Sequence, residues 1–399
     1  MRVGWIGLGR LGLPCAMAMA SRGITVCGYD PHPQSVESLD YEAGLADLPM
    51  RGTFRQYSSV RQVVANSDIV LVAVQTPHEP RFDGTHLLDD DRADFETAYL
   101  ANAVREVCRE AEALKHRITM AVVSTVLPGT WDRIVAPYLN GYVHGAYTPS
   151  LIAMGTTVDD WLRPEMVICG TDDEWAFGAV ERMHLQMHDR PIMRMRPIEA
   201  ELTKQSYNTF IGLKIVFANS LMEICHHTGA DVDAVTGALA QASDRIISPK
   251  YLAGGMGDGG GCHPRDNLAI SWLSQRLGLS VDVAGFAMQA REAQSWWLAD
   301  LVEHWRRMSG LDVALCGTEY KANVPLTVGS AALLLERMLD GCQTVSVHQD
   351  LPESPHVFVV TTNHDRWRDE TWPAGSVILD PWGMIADQPG CTVIRIGRR

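Results

Sequence analysis

Three features that would point to particular classes of protein are missing from this sequence. No apolar run approaches the ~20 residues of a membrane span, and the N-terminus "MRVGWIGLG" leads into a strand-like segment and not into a signal peptide. Basic residues are scarce, with 34 Lys and Arg against 48 Asp and Glu, and the net charge of -14 disfavours nucleic acid as a partner. The nine cysteines form no CxxC pair, which fits a reducing compartment better than a disulfide framework. We therefore expect a soluble cytoplasmic protein that binds neither membrane nor nucleic acid.

What the N-terminus does contain is the pattern of a dinucleotide site. The apolar strand "RVGWI" (2–6) is followed by "GLGRLGLPCAMAMASRG", a tight turn that runs into a helix, with Gly7, Gly9 and Gly12 in GxGxxG register. A second strand, "ITVCGYD", ends in Asp30, where a carboxylate accepts hydrogen bonds from a ribose diol and repels a 2′-phosphate. The pattern predicts NAD in preference to NADP. The alternative is a tight turn in an α/β protein without a cofactor.

Further strands follow at the spacing of βα units, at 68–74, 118–125 and 166–170. They predict a doubly wound parallel sheet. Two of these strands end in polar or helix-breaking residues, "QTP" (75–77) and "STVLPGT" (124–130). Because ligands in such sheets lie beyond the carboxyl ends of the strands, Thr76 and Thr125 are candidate contacts for cofactor or substrate.

The middle of the chain, from Pro197 to about Gly310, has helical periodicity and no strand pattern, with two long helical stretches at 199–229 and 266–307. Lys204 and Asn208 stand at i and i+4, so both project from one helix face. Such a pair can hold a substrate hydroxyl, take its proton and stabilise an oxyanion. The alternative is a lysine on the helix surface.

Four more strands in α/β order lie at 311–317, 344–350, 357–364 and 376–383. With 399 residues, 46% of them hydrophobic, the chain can fill two or three cores. The predicted fold is α/β, with two Rossmann-like doubly wound domains joined by a central all-helical domain. The predicted boundaries are 1–196 for the NAD-binding domain, 197–310 for the helical domain and 311–399 for the C-terminal domain.

Two histidine pairs, His184 with His188 and His226 with His227, lack the glutamate or cysteine partners of a zinc site. We expect no bound metal there and predict histidines on helix surfaces.

Cys262 stands in a glycine-rich loop, "GGMGDGGGCHPRDN" (254–267). The apolar strands around Cys27, Cys169 and Cys316 are typical of buried, inert cysteines, whereas a loop of glycines is not. The thiolate is the nucleophilic form of cysteine, and a bare backbone can direct N–H groups at it. We expect the glycines to leave room for a ligand beside Cys262.

Several of these motifs resemble the UDP-glucose/GDP-mannose 6-dehydrogenases, which oxidise the C6 alcohol of a nucleotide sugar to a carboxylate with two NAD+. The resemblance is carried by "GLGRLGLP" (7–14), "VAVQTP" (72–77), "STVLPGT" (124–130), "GTTVDDWLRPEMVICG" (155–170), "AELTKQSYNTF" (200–210), "GMGDGGGCHPRD" (255–266) and "GTEYKANVPLTVGS" (317–330). The C-terminal domain of this family holds the nucleotide of the substrate, and its central helices form a homodimer or a higher oligomer.

The resemblance implies a set of site residues. Cys262 is the expected nucleophile, and Lys204 and Asn208 are the proton-transfer and oxyanion pair. Asp266 is an expected partner of the lysine or of the water, Thr125 a contact of the water or the substrate, and Lys321 a contact of the nucleotide sugar. Other expected contacts are Leu11, Pro77 and Thr125 for the cofactor, and Ser150, Leu151, Tyr251, Gly259 and Arg245 for the substrate, the arginine crossing from a neighbouring subunit. The expected substrate is UDP-glucose, with GDP-mannose and UDP-N-acetylhexosamines left open.

The chain departs from the family at positions that bear on hydrolysis and on the substrate. Ser150 replaces the glutamate of the asparagine-proline-glutamate motif, and Met154 stands where a second glutamate is usual. Val328 occupies the arginine position of the C-terminal motif, where Pro325 and Leu326 replace acids. We expect Asp266 or an acid from elsewhere to position the water. Two alternatives remain: a nucleotide-sugar-binding protein with impaired turnover, and a two-electron β-hydroxyacid dehydrogenase, which leaves about 90 C-terminal residues unexplained.

Overall fold

A computed structural model describes residues 1–87, 92–243, 253–257, 260–277 and 282–398. The chain forms two compact units. Unit 1 comprises Met1–Pro77 and Asp94–Ser206, and unit 2 comprises His78–Ala93 and Tyr207–Arg399. The division falls within one long helix, and the three-domain boundaries expected from the sequence stay a prediction.

Unit 1 is built on an eight-stranded sheet. Its strands are β1 (Arg2–Ile6), β2 (Thr25–Tyr29), β3 (Thr53–Gln56), β4 (Ile69–Val72), β5 (Ile118–Val122), β6 (Val143–Tyr147), β7 (Val167–Gly170) and β8 (Ile192–Met195). Their order is β3-β2-β1-β4-β5-β6-β7-β8, and all neighbours are parallel except β6 and β7, which pair antiparallel with Tyr147 opposite Gly170. The predicted doubly wound parallel sheet is thus confirmed for β1–β6, whereas β7 and β8 run in the opposite direction.

Three of these strands, β3, β6 and β8, were not predicted from the sequence. The edge strands β3 ("TFRQ") and β8 ("IMRM") are mostly exposed or half-buried, so they lack a continuous apolar run. The β6 sequence "VHGAY" is interrupted by a histidine and a glycine. The five predicted strands of this unit are confirmed.

Five helices cover the two faces of this sheet: α1 (Gly12–Ser21), α2 (Val60–Ala65), α3 (Ala98–Leu114), α4 (Thr157–Leu162) and α5 (Glu174–His184). On one face, Val3 and Trp5 of β1 belong to a core that includes residues of α1, α4 and α5. On the other face, Ile6 and Val72 belong to a core that includes residues of α2 and α3. This two-faced core is the doubly wound arrangement, and it places the carboxyl ends of the parallel strands β1–β6 along a common edge.

The buried face of α5 includes His184, which corrects the prediction of a surface histidine. His184 is 3% exposed, its ring lies 5.5 Å from that of Trp161, and its Nδ1 lies 3.2 Å from Nε2 of His188. It follows Val180 by one helical turn and therefore shares the apolar face. Burial lowers the pKa of His184 to about 3.

The central part of the chain is helical, as predicted. The long helix α6 (Pro197–Thr228) begins with a proline at its first position and passes from unit 1 into unit 2. It is followed by α7 (Val232–Ala240), α8 (Cys262–Leu277) and α9 (Val283–Ser309). The stretch predicted at 266–307 is thus two helices, and residues 278–281 between them lie outside the described part. In the described ranges no helix is both long and apolar enough to cross a membrane.

Unit 2 also contains a five-stranded parallel sheet. Its strands are β9 (Val313–Cys316), β10 (Gln343–Val345), β11 (Val357–Val360), β12 (Val377–Asp380) and β13 (Thr392–Arg395), in the order β10-β9-β11-β12-β13, and α10 (Ala331–Met338) precedes β10. The four predicted strands are confirmed, whereas the half-buried edge strand β13 was missed. The next two strands of the chain, β10 and β11, lie on opposite sides of β9. The topological switch point of this sheet is therefore between β9 and β11.

Candidate active site

The glycine turn after β1 has the shape that the sequence predicts. Gly7 has a φ of +102°, and a Cβ there would overlap the carbonyl group of Ala73 at the end of β4. Gly9 differs, because a Cβ built on it meets no atom within 4 Å. The backbone is thus closely packed at Gly7 and open at Gly9, as the approach of a pyrophosphate requires.

The groups around this turn fit a dinucleotide. Helix α1, which begins at Gly12, has Leu11 as its N-cap, with no side-chain cap and no acid in its first turn, so its N–H groups can bind a phosphate. The carboxylate of Asp30 accepts backbone N–H bonds from Leu8 and His32, both at 2.8 Å. Each oxygen keeps a lone pair for a ribose hydroxyl. Asp30 therefore also fixes the glycine turn to the end of β2.

Thr76 and Thr125 are brought together at the ends of β4 and β5. Thr76 is buried, and its Oγ1 donates to the carbonyl oxygen of Thr125 at 2.8 Å. Ser124 Oγ donates to the carbonyl oxygen of Val74 at 2.6 Å. Pro77 follows the threonine and is half-buried. The Thr76 side chain thus holds the segment that carries Thr125, a role that the sequence did not indicate.

Lys204 and Asn208 lie on one face of α6 and are 7% and 6% exposed. A lysine is rarely buried to this extent without a specific environment. The alternative of a surface lysine is therefore wrong.

The amide of Asn208 contacts Asp266 in the first turns of α8. Asp266 is completely buried, and its Oδ2 accepts a short hydrogen bond from Asn208 Nδ2. Its Oδ1 accepts from Nε and Nη2 of Arg265, both at 3.1 Å. The structure thus joins two predicted residues and adds Arg265, which the sequence analysis missed even though it precedes Asp266 in the quoted motif.

Cys262 is the first residue of α8 and is exposed. It contrasts with buried cysteines such as Cys108 and Cys169, for which burial raises the pKa of each thiol to about 12. A helix N-terminus presents backbone N–H groups that stabilise an anion. Cys262 is therefore accessible to a ligand at a position suited to a nucleophile.

The described glycines nearest Cys262, which are Gly257, Gly260 and Gly261, face other parts of the protein and not an open ligand space, which corrects their predicted purpose. A Cβ on Gly260 would overlap the ring of Tyr320, and a Cβ on Gly261 would lie 2.8 Å from the carbonyl oxygen of Val328. The loop therefore packs on the segment at 320–329 that the sequence resemblance assigns to the nucleotide sugar. Glycine is required there for close packing of two loops.

Lys321 stands on an exposed turn of that segment. It forms an isolated antiparallel bridge with Val324, and Asn323 between them has a φ of +62°. Tyr320 N donates to the carbonyl oxygen of Leu326 at 3.0 Å, which closes the turn. The lysine is thus presented to solvent on an ordered support.

The switch point of the second sheet carries a pair that the sequence analysis missed. Glu319 follows β9, and its Oε2 lies 3.0 Å from Nε2 of His364, which follows β11. Both side chains are nearly buried, at 12% and 5% exposed. A polar pair just beyond neighbouring strand ends could have been found by aligning the predicted strands.

The remaining predicted residues divide into two sets. Ser150 and Leu151 follow β6 in unit 1 and are half-buried. Arg245, Tyr251 and Gly259 lie outside the described residues.

The chain is similar to known proteins over most of its length. The sequence profile described as the UDP-glucose/GDP-mannose dehydrogenase family, NAD binding domain, matches residues 1–188, and the central domain of the same family matches residues 198–292. NAD, predicted from the glycine turn and Asp30, is thereby confirmed as the cofactor. GDP-mannose 6-dehydrogenase of Pseudomonas putida is 28% identical over 81% of this chain and 74% of its own length.

Two further relatives extend the likeness along the chain. A putative UDP-glucose 6-dehydrogenase of Bacillus subtilis is 25% identical over 92% of this chain and 86% of its own. The solved structure of a UDP-glucose dehydrogenase from Pyrobaculum islandicum covers all of this chain (100%) and 97% of its own, with a TM-score of 0.83 and 26% identity. The chain therefore belongs to the UDP-glucose/GDP-mannose dehydrogenase family, as the motifs of its sequence predicted.

Proposed function

We propose that the protein oxidises the C6 alcohol of a nucleotide-diphosphate hexose to the carboxylate, through a covalent intermediate on Cys262. The observation that carries the proposal is the exposed Cys262 at the start of α8, one helical turn before the buried Asp266 that binds Asn208. A two-electron dehydrogenase needs no nucleophile, whereas oxidation beyond the aldehyde does.

The first oxidation depends on Lys204 and Asn208. NAD+, when bound, accepts a hydride from C6 in each of the two oxidations. Lys204 takes the hydroxyl proton, and the amide of Asn208 donates to the developing oxyanion. The bond from Asn208 Nδ2 to Asp266 fixes which way the amide points.

The second oxidation depends on Cys262. Its sulfur adds to the aldehyde carbon, so a C–S bond forms and the carbonyl becomes a hydroxyl. This thiohemiacetal loses the second hydride and a proton and becomes a thioester. The oxygen of a water then bonds to the carbon, the C–S bond breaks, and the carboxylate leaves. One alcohol, one water and two NAD+ thus yield one carboxylate, two NADH and three protons.

Hydrolysis of the thioester is the step affected by the positions at which this chain departs from the family pattern. Ser150 supplies no carboxylate, and Asp266 is completely buried and engaged with Asn208 and Arg265. This arrangement favours orientation of the amide as the role of Asp266. Ser150 and Val328 also favour a second candidate function, a nucleotide-sugar-binding protein with impaired turnover.

UDP-glucose is the substrate that we propose first, with GDP-mannose next. The support is the named activity of the relatives, which include both kinds of enzyme. Lys321 is the proposed contact to the sugar nucleotide, and Val328 removes the arginine that the family pattern places nearby.

One experiment tests the function and names the substrate. A panel of UDP- and GDP-sugars is incubated with NAD+, NADH is followed by absorbance, and the product is identified by mass spectrometry. We expect two NADH per sugar and an acid product from the natural protein, and no acid from Cys262→Ala. One NADH per sugar with full activity of Cys262→Ala would contradict the proposal. Accumulation of a thioester on the natural protein would favour the second candidate.

We also propose that the protein is a homodimer through its central helices. Phe210 and Phe217 lie on one stripe of α6 and are 48% and 50% exposed, while Phe286 on α9 is 63% exposed. Sedimentation should give a dimer, and Phe210→Glu should shift it toward monomer. A monomeric natural protein at micromolar concentration would contradict this. The cytoplasmic location stays a prediction.

A further inference from the structure

Two buried polar side chains of α6 bind the backbone of the segment that follows β5. Glu201 and Gln205 are one helical turn apart, and both are completely buried. The carboxylate of Glu201 accepts N–H bonds from Gly129 and Trp131, each at 2.6 Å. Nε2 of Gln205 donates to the carbonyl oxygen of Val126 at 3.0 Å. The helix thus holds residues 126–131 through three backbone groups.

The start of the same segment is hydrogen-bonded to residues that follow β4. Ser124 Oγ donates to the carbonyl oxygen of Val74, and Thr76 Oγ1 donates to that of Thr125. Thr125 therefore lies between an anchor on the end of β4 and an anchor on α6. All of these residues belong to unit 1.

Burial of the Glu201 carboxylate carries a free-energy cost. A carboxylate loses its hydration on burial, and two N–H bonds compensate only part of that loss. Burial raises the pKa of Glu201 to about 7; the two N–H bonds oppose the rise. The charged neighbours that act on it are Asp132, which raises the pKa further, and Arg133, which lowers it. The ionised form is the better acceptor for both bonds, so the tether strengthens as the pH rises through about 7.

We infer that Glu201 is a positioning residue, whose carboxylate holds the segment of Thr125 on the turn of α6 that carries Lys204. Lys204 follows Glu201 by three positions, so one carboxylate fixes a helical turn and a loop relative to each other. The inference rests on the proposed function for the roles of Thr125 and Lys204. The tether itself does not depend on that function.

The test compares Glu201→Gln with a matched control, Glu42→Gln. Glu42 is also buried in unit 1, and it accepts backbone N–H bonds from Gly155 and Thr157 at 3.1 and 3.0 Å. Glutamine keeps the size of the side chain but presents an amide N–H to one of the two backbone donors. The measurements on the full chain are amide hydrogen exchange by mass spectrometry, kcat and KM from about pH 6 to about pH 9, and the thermal midpoint.

We expect Glu201→Gln to accelerate exchange in residues 125–131 by about tenfold, since a charge-assisted hydrogen bond is lost. Its kcat should fall by about tenfold or more above pH 7, with the KM for NAD+ changed by less than about twofold. The rise in kcat of the natural enzyme through about pH 7 should be absent in this variant. Glu42→Gln should change exchange near 155–157 and leave kcat and its pH profile unaltered.

Three results would overturn the inference. The first is an active natural enzyme whose kcat and pH profile are unchanged by Glu201→Gln. The second is an equal loss of kcat in both variants, which would indicate general destabilisation. The third is unchanged exchange at 125–131. A natural protein that oxidises no nucleotide sugar would contradict the proposed function and with it the positioning role, while the exchange measurement would still decide the tether.

Discussion

The two sheets of this protein begin with the same turn. Gly7 follows β1 with a φ of +102°, and its N–H donates to the carbonyl oxygen of Tyr29 at the end of β2, at 2.9 Å. Gly317 follows β9 with a φ of +100°, and its N–H donates to that of Val345 at the end of β10, also at 2.9 Å. At both glycines a Cβ would overlap a residue that follows the strand on the other side, which is Ala73 after β4 and Thr362 after β11. The same sheet geometry requires the same residue twice.

The chain after each glycine is different. After Gly7 it enters α1 at Gly12, which presents helix N–H groups at the turn. After Gly317 it forms the segment 318–330, which carries Lys321 and packs on the glycines before Cys262. The turn is thus shared by the two sheets, whereas the residues that follow it differ in the ligand that they suit. A helix end suits the pyrophosphate of NAD, and an ordered lysine suits the proposed nucleotide sugar.

Substitution of each turn glycine should have the largest effect, because each substitution should weaken the binding of only one of the two ligands. Gly7→Ala forces a side chain into a backbone region that only glycine tolerates, at a cost of about 1–3 kcal/mol. We expect it to weaken NAD binding by at least about tenfold and to leave binding of the nucleotide sugar unaltered, whereas Gly317→Ala should do the reverse. Calorimetric titration of each variant with each ligand measures both effects. Equal loss of both ligands in either variant would show that the turns do not act separately.

Gly9→Ala tests the approach of the dinucleotide alone, because a Cβ at this position does not disturb the packing of the protein. A Cβ there meets open space and the φ is not positive, so the free protein should keep its thermal midpoint. NAD affinity should still fall by about tenfold, since the Cβ occupies the approach of the pyrophosphate. Unchanged affinity would mean that the dinucleotide does not approach at Gly9.

Lys321→Met should have a smaller effect, confined to the second ligand. Loss of a charge-assisted contact on an exposed turn should raise the KM for the nucleotide sugar by about tenfold, with the KM for NAD+ unchanged. Lys115→Met is the control, since Lys115 terminates α3 in unit 1. An equal effect of both substitutions would point to net charge as the cause.

Uniform burial explains most of the strands that were predictable, with two exceptions: the edge strand β10 was predicted, and the interior strand β6, interrupted by a histidine and a glycine, was missed. The interior strands β1, β4 and β9 are nearly or wholly buried and read as apolar runs. The edge strands β3, β8 and β13 have one side in solvent, so their composition does not distinguish them from loops.

The candidate site follows a similar rule. Cys262, Lys204 and Asn208 were predictable because a motif or a helical spacing names them. Glu201 and the pair of Glu319 with His364 were not, because their role comes from contacts between segments distant in the chain. Glu is almost never fully buried unless it is paired, so the complete burial of Glu201 in the structure is the observation that marks it.

The buried His184 should make the stability of the protein sensitive to acid. His184 belongs to unit 1, and its burial lowers its pKa to about 3. A histidine of the unfolded chain has a pKa of about 6.5. Between these values the unfolded chain binds a proton that the folded chain does not, so His184 makes stability fall as the pH falls below about 6.5. Thermal unfolding of His184→Phe should therefore show a shallower loss of stability between about pH 6.5 and about pH 4 than the natural protein does. The solvent-exposed His227→Phe is the control, and identical slopes in all three proteins would contradict the assignment.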